Sequence, residues 1–299
     1  MKSVDWLIID WGTTNFRAFA MNKEGVLVSK TERPLGLLQV KNNQFSSSLK
    51  VVLEGWLGEY QHLPILMAGM VGSAQGWIDT CYVETPTSIN KLARKSHSFK
   101  LPWGAQATII PGVRYRSPLG NFDVMRGEEV QLFGLQTLES KANFVALFPG
   151  THCKHMQINA NKLSSFTPFM TGELFSILLN HSILGAGLPK QQDSLNAFKK
   201  GISESNKKPL TNQLFYTRTH RLFADIDETE VSEYLSGLLI GEELKTLTTK
   251  NIYLVGDNKL CSRYQKACQI LEIQVSVIDG DDVFLNGMLQ IKKALNDEK

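Results

Sequence analysis

Two short segments pair an apolar run with a Gly-Thr turn. Ile9–Asn15 reads IDWGTTN: the run ends in a carboxylate, Asp10, and passes into Gly12, Thr13 and Thr14. Backbone N–H groups in such a turn can converge on phosphate oxygens, and the carboxylate can hold a hydrated divalent cation. The same residues also make an ordinary hairpin turn with Asp10 as a strand-end acceptor, and taken alone they leave both readings open. Phe148–Met156, FPGTHCKHM, repeats the pattern at Gly150 and Thr151. Two such turns facing one another could hold the β- and γ-phosphates of a nucleotide. A third segment, Tyr253–Ala267 (YLVGDNKLCSRYQKA), runs a strand into Gly256 and Asp257 ahead of an amphipathic helix. It could seat a nucleoside against Gly256, or be a plain β-to-α turn. His152, Cys153 and His155 cluster, but no further Cys or His stands at ligand spacing, so zinc is not expected. No Gly-Lys dipeptide, GxGxxG or GxSxG occurs, which sets aside the P-loop, dinucleotide-binding and serine-hydrolase motifs.

The elements that carry these turns are legible as two units. Trp6–Asp10, Asn15–Ala20 and Gly25–Lys30 read as a meander of three strands. A helix over Asn43–Tyr60 follows, with Phe45, Leu49, Val51, Val52, Trp56 and Leu57 as its apolar stripe, then strands at Pro64–Met67 and Ala107–Ile110. Between those strands AGMVGSAQGW fits neither period. Arg126–Glu139 reads as a helix. Strands at Asn143–Phe148, Lys154–Asn159 and Ser164–Pro168 then begin a second unit. Its helices are expected at Glu173–Leu184, Glu230–Leu247 and Tyr264–Leu271, its last strands at Ile252–Val255 and Val275–Ile278, and a closing helix at Val283–Leu295. Ile202–Pro209 reads as a solvated loop. The breakers in SPLGNFD place the boundary near Pro118–Met125, giving domains 1–122 and 123–299.

Composition bounds the class. Over 299 residues, 42% are hydrophobic and 20% charged, enough apolar content for sizeable cores. A net charge of +3 implies neither nucleic acid nor an acidic membrane as partner, and no apolar run approaches the roughly 18 residues of a membrane span. Asp5 and Asp10 interrupt any signal-peptide core. Four cysteines without a CxxC pair fit reduced thiols, so a soluble cytoplasmic protein of about two domains is expected.

The three turn segments occur in the order of the two phosphate motifs and the adenosine motif of the actin/hexokinase/Hsp70 ATPase superfamily. Longer stretches resemble the bacterial 2-dehydro-3-deoxygalactonokinase family: IDWGTTNFRAF, AGMVGSAQGWIDTCYVETP, IIPGVR, DVMRGEEVQLFG, FPGTHCKHMQI and FMTGELFSILLNHSILG. The resemblance implies an α/β fold of two ribonuclease-H-like, actin-like ATPase domains with mixed five-stranded sheets flanked by helices. An N-terminal domain would bind the sugar acid and a C-terminal one the nucleotide, in a cleft between them, with the last helix packing back on the first domain. It implies ATP-dependent phosphorylation of 2-dehydro-3-deoxy-D-galactonate at its 6-hydroxyl, in galactonate catabolism.

Against that expectation the residues take roles. Asp10 would hold Mg²⁺ through water; Gly12, Thr13, Thr14, Gly150 and Thr151 would take phosphate oxygens, and Gly256 and Asp257 the nucleoside side. The base should be a carboxylate where the helix begins. DVMRGEE offers Asp123, Glu128 and Glu129; ungapped alignment with related sugar kinases puts Gly127 at their aspartate, and Glu128 is favoured ahead of Asp123. Any of them could instead be an acid satisfying the helix dipole. Some branches of the superfamily carry an aspartate two residues before the second Gly-Thr turn, where this chain has Phe148. Gly69, Ser73 and Trp77 are candidates for sugar hydroxyls, Trp77 being equally a core residue. Arg17, Arg114 and Arg126 are candidates for the acid group, since guanidinium grips carboxylate bidentately, and Arg126 alternatively for the transferring phosphoryl. A kinase for another keto-sugar acid or polyol, a non-catalytic sugar-binding regulator on the same fold, and a filament-forming actin-like protein, which the short chain and the AGMVGSAQGW match disfavour, are the alternatives. The regulator would need a DNA-binding helix pair, for which nothing upstream of Trp6 leaves room. A homodimer is left open.

Overall fold

The first strand, WLIIDW, is apolar at five of its six positions, as suits a strand buried on both faces. In a computed structural model, which describes residues 3–297, it is β1 (Trp6–Trp11). There follow β2 (Phe16–Met21), β3 (Leu27–Arg33), α1 (Phe45–Leu57), β4 (Ile65–Ala68), β5 (Tyr82–Glu84), α2 (Ile89–Lys95), β6 (His97–Lys100), β7 (Gln106–Ile109), β8 (Gly112–Arg116), β9 (Phe122–Met125) and α3 (Glu128–Glu139). A second series begins with β10 (Phe144–Phe148), β11 (Cys153–Asn159) and β12 (Lys162–Phe169). It continues with α4 (Thr171–His181), α5 (Leu195–Glu204), α6 (Leu210–Leu222), α7 (Val231–Leu244), β13 (Asn251–Gly256), α8 (Asn258–Ile270), β14 (Gln274–Asp279) and α9 (Gly280–Asp297).

The chain divides into two units, and the division falls after Asn143 rather than at residue 122. The first unit also takes Ile158–Ser165 and everything from Asp281 onward, so α3 and most of α9 belong to it. Its main sheet has the order β3-β2-β1-β4-β7-β6. The β1–β2–β3 meander is antiparallel, while β4 and β7 run parallel to β1. The second unit's sheet, β12-β11-β10-β13-β14, places its first strand in the same way, beside parallel β13 and β14. Each unit is thus the mixed α/β fold expected, with one extra edge strand, β6, in the first.

Alternation along β1 decides how the first unit is filled. Leu7, Ile9 and Trp11 face α1, whose Phe45, Leu49, Val52 and Leu53 lie at helical spacing; Val51, placed by the sequence in that stripe, is exposed. Trp6 and Ile8 face the other way, onto Phe284, Met288 and Ile291 of α9, again at spacings of four and three. Each such side chain, once buried, contributes about 1.5–3 kcal/mol. The stretch around residues 80–125 holds more structure than its one expected strand. Among the described residues β5, β8 and β9 form a separate sheet, and the breakers in SPLGNFD make the β8–β9 hairpin turn instead of a domain boundary. In the second unit α5 and α6 were not foreseen, and Ile202, assigned to a loop, is buried near the end of α5. No helix among the described residues is long and apolar enough to cross a membrane.

Candidate active site

In both units the turns lie where parallel strands end, the position at which open α/β sheets bind ligands. In the first unit β1 delivers Asp10 and β2 delivers Arg17, direct partners across the antiparallel register. Arg17 Nε donates to Asp10 Oδ2 at 3.0 Å, and its Nη1 pairs with Asp281 at the start of α9. Lys30 Nζ reaches the other oxygen of Asp281 at 2.8 Å. Burial works to lower the Arg17 pKa, but Asp10 and Asp281 outweigh it and raise it. The Arg17 fork is therefore already held by two carboxylates of its own chain. The Gly12–Thr14 turn closes through Gly12 N–H to Asn15 O at 2.9 Å and leaves both threonine side chains exposed. Asp10, Gly12, Thr14, Asn15 and Arg17 line a hollow of about 630 Å³.

Beside it β4 ends in the loop at residues 69–77. A Cβ at Gly69, whose φ is +94°, would lie 2.8 Å from Trp11 O and 3.1 Å from Asp10 Oδ1, so only glycine lets this loop pass so close to the carboxylate. The Ser73 hydroxyl is spent within the loop on Met70 O at 2.8 Å, and Trp77 stacks on Phe45 at 6.2 Å as part of the core edge. Arg114 is half exposed and pairs with Glu84 at 3.2 Å. Arg126 differs. It is 7% exposed, gives Nη1 and Nη2 to the hydroxyl and carbonyl of Thr80, and lies 4.3 Å over the Tyr82 ring. Its Nε is buried with no hydrogen-bond partner among the described residues.

The start of α3 rests against the same loop: the Cβ position of Gly127 is 3.5 Å from Gly69 Cα. Glu128 is the first residue of α3 and accepts from Arg126 N at 3.2 Å. Glu129 is fully buried and accepts from Gly127 N at 2.8 Å, and burial together with the Glu128 charge pushes its pKa up to about 8. Asp123 lies in β9, ahead of the helix instead of at its start, and accepts from the N–H of its neighbour Val124. Asp10, Gly69 and Gly127–Glu128 thus form one continuous rim within the first unit.

In the second unit Gly150 and Thr151 follow β10, and the Cβ position of Gly256 at the end of β13 is 3.6 Å from Pro149 O. Asp257 is the N-cap of α8, accepting from the Lys259 and Leu260 amides at 2.9 and 3.2 Å. The turn is backed by α4: Glu173 N donates to Thr151 O at 2.9 Å, and the Glu173 carboxylate pairs with His152. A largely apolar hollow of about 190 Å³ opens next to it, walled by Gly150, Gly172, Phe175, Leu239 and Leu260. On its rim Arg263 and Glu233 form a bidentate pair at 2.8 and 3.0 Å.

The profile of the 2-keto-3-deoxy-galactonokinase family matches residues 10–291. The chain belongs to this family. It is 36% identical to the 2-dehydro-3-deoxygalactonokinase of Escherichia coli strain K12, over 97% of this chain and 98% of that one. A Sinorhizobium meliloti crystal structure provisionally given the same enzyme name superposes with a TM-score of 0.89 at 28% identity, covering 97% of this chain and 99% of that one. The Acidaminococcus fermentans (R)-2-hydroxyglutaryl-CoA dehydratase component A, at 13% identity, a TM-score of 0.50 and coverage of 98% and 99%, shares the fold alone.

Within this 2-keto-3-deoxy-galactonokinase chain the sequence reading missed one polar cluster. Cys153 and His155 meet Glu243 of α7, with no part taken by His152. The i, i+2 spacing of Cys153 and His155 on a strand was a signal that they share a face. Nothing local marks Glu243 as buried.

Proposed function

We propose that the protein is an ATP-dependent kinase that phosphorylates the 6-hydroxyl of 2-dehydro-3-deoxygalactonate, working in galactonate catabolism in the cytoplasm. The observation that carries this reading, beyond family membership, is the rim in the first unit where Asp10, Gly69 and Glu128 follow one another around a single loop. A kinase needs a phosphate-side carboxylate and an acceptor-side base close together with room for substrate between them.

The acceptor oxygen bonds to the γ-phosphorus as the bond to the β–γ bridging oxygen breaks and ADP leaves. Glu128, at the helix start and not fully buried, takes the hydroxyl proton. Thr13, Thr14 and Thr151 present exposed hydroxyls to phosphate oxygens. Asp10 is a hard oxygen donor on the hollow and fits Mg²⁺ held through water, the ion supplying charge neutralisation on the phosphates when bound. Arg126 is the preferred partner of the substrate carboxylate, because Arg17 and Arg114 are committed to acidic side chains. The apolar hollow of the second unit suits the nucleoside. Purified protein with Mg-ATP should release ADP on addition of 2-dehydro-3-deoxygalactonate in a coupled assay. Release with another keto-sugar acid and none with this one overturns the acceptor assignment.

A further inference from the structure

Glu243 sits next to the last residue of α7 and is 2% exposed. A carboxylate there is opposed twice, by loss of water and by the negative end of its own helix. The chain surrounds it with donors from three elements. His155 Nε2 of β11 lies 2.8 Å from Oε1, while Oε2 accepts from the Tyr264 hydroxyl of α8 at 2.8 Å and from Thr171 of α4; the Cys153 thiol also points to it. Burial alone would raise its pKa, but these donors, His155 first, hold it below the ordinary glutamate value, and burial together with the Glu243 contact pushes the Cys153 thiol up. The 2.8 Å between His155 and Glu243 is a hydrogen-bond length, so a proton bridges them. Apolar side chains of equal volume would stabilise such a site as well or better. What the carboxylate adds is fixed geometry.

That geometry leads to the phosphate turn. Thr171 is the first residue of α4 and Gly172 the second. A Cβ at Gly172 would lie 2.4 Å from Gly150 O and 3.0 Å from Thr151 Cα, so helix and turn are in van der Waals contact there. Glu173 N then holds Thr151 O at 2.9 Å. Behind α4, Phe169 packs its ring 4.4 Å from that of His155.

We infer that Glu243 is a positioning residue for nucleotide binding: it anchors Thr171, and through the first turn of α4 sets the Gly150–Thr151 turn. The inference rests on the kinase reading in taking that turn to receive the nucleotide. Glutamine at this position accepts on one side but donates on the other, so it must face at least one donor with another.

The test is direct calorimetric binding of a non-hydrolysable ATP analogue with Mg²⁺, alongside steady-state kinetics. Glu243→Gln should weaken analogue binding and raise KM for ATP by about tenfold, the worth of one hydrogen bond, with kcat and the sugar-acid KM within about threefold. Thr171→Val should reproduce the loss, Thr171→Ser should restore parental affinity, and the double variant Glu243→Gln/Thr171→Val should be no worse than either single change. Ile252→Ala, a core truncation on β13, should lower Tm without moving analogue affinity. Parental affinity in Glu243→Gln and Thr171→Val overturns the inference, as does an affinity loss in Ile252→Ala matching theirs. If Glu243→Gln does not fold, Thr171→Val decides alone. A parental protein that fails to bind the analogue overturns the kinase reading itself, and the inference with it.

Discussion

The two Gly-Thr turns occupy the same place in two sheets of like order, yet they are held differently. Two residues before the first turn stands Asp10, partly exposed and paired with Arg17; two residues before the second stands Phe148, 6% exposed. The first turn is surrounded by charge: Asp10, Arg17, Asp281 and Lys30 alternate in sign along one edge. The second is supported from behind, by a helix end tied to a buried carboxylate. One fold position has thus been built once as an electrostatic site and once as a backbone platform. On the kinase reading, opposed charges on the first respond to the phosphates and their counter-ion, while the second gains rigidity from a carboxylate withdrawn from solvent, Glu243.

The largest expected effect tests whether carboxylate chemistry is confined to the first unit. Glu128→Gln should lower kcat by about 10²–10⁴-fold, the usual worth of a general base, with Asp123→Asn leaving it within about threefold. If both keep parental turnover, the base lies elsewhere and the contrast between the units loses its chemical half. Next comes the shared position two residues before each turn. Asp10→Asn should cost on the order of 10²-fold in kcat and move the midpoint of Mg²⁺ activation upward, whereas Phe148→Leu should cost less than about 1.5 kcal/mol in denaturant unfolding and little activity.

The third concerns glycines outside the motifs. A methyl at Gly36 would lie 2.3 Å from Thr13 O, and one at Gly172 2.4 Å from Gly150 O, while Gly12 and Gly150 have their first contacts at 3.5 and 3.6 Å. Gly36→Ala and Gly172→Ala should therefore lose about 1–3 kcal/mol each in urea melts, more than Gly12→Ala or Gly150→Ala. Equal losses at all four would mean that the turns carry their own strain. The smallest effect is on pH dependence. Glu129 binds its proton more tightly folded than unfolded, so stability is full below pH 4.5 and falls as pH rises towards about 8. Glu129→Gln should flatten that decline, measured as Tm from pH 5 to 8, and an unchanged slope would show that Glu129 is not its source.

Much of this was legible in the chain. The two meanders, the strands that end in turns and the closing helix follow from apolar runs and turn residues, and the family resemblance fell on segments that the structure places around the turns. Residues 80–125 were not legible, because β5, β6, β8 and β9 are three to five residues long and too short to show a period. Amphipathic α5 was passed over beside a polar loop. The domain boundary was misplaced because SPLGNFD looks alike as a linker and as a hairpin turn. In the site, Arg17 and Arg126 were indistinguishable as letters; only tertiary pairing separates a guanidinium held by two carboxylates from one with an unsatisfied Nε. Glu243 carried no local sign at all, since its partners lie 88, 72 and 21 residues away.

Helix α9 sets an order of events during synthesis. The face of β1 and β2 that carries Trp6, Ile8, Phe19 and Met21 is covered only in part, by Ala93 and Val130, until Phe284, Met288 and Ile291 arrive. The second unit needs none of them, and its last strand, β14, ends at Asp279. Although its strands emerge first, the first unit must therefore wait with part of that face exposed until α9 is made, whereas the second unit's own residues end at Gly280. A nascent chain stalled between Asp279 and Met288 would be the species most in need of a chaperone, and Asp281, gripped by Arg17 and Lys30, is the first residue of α9 placed to end that wait.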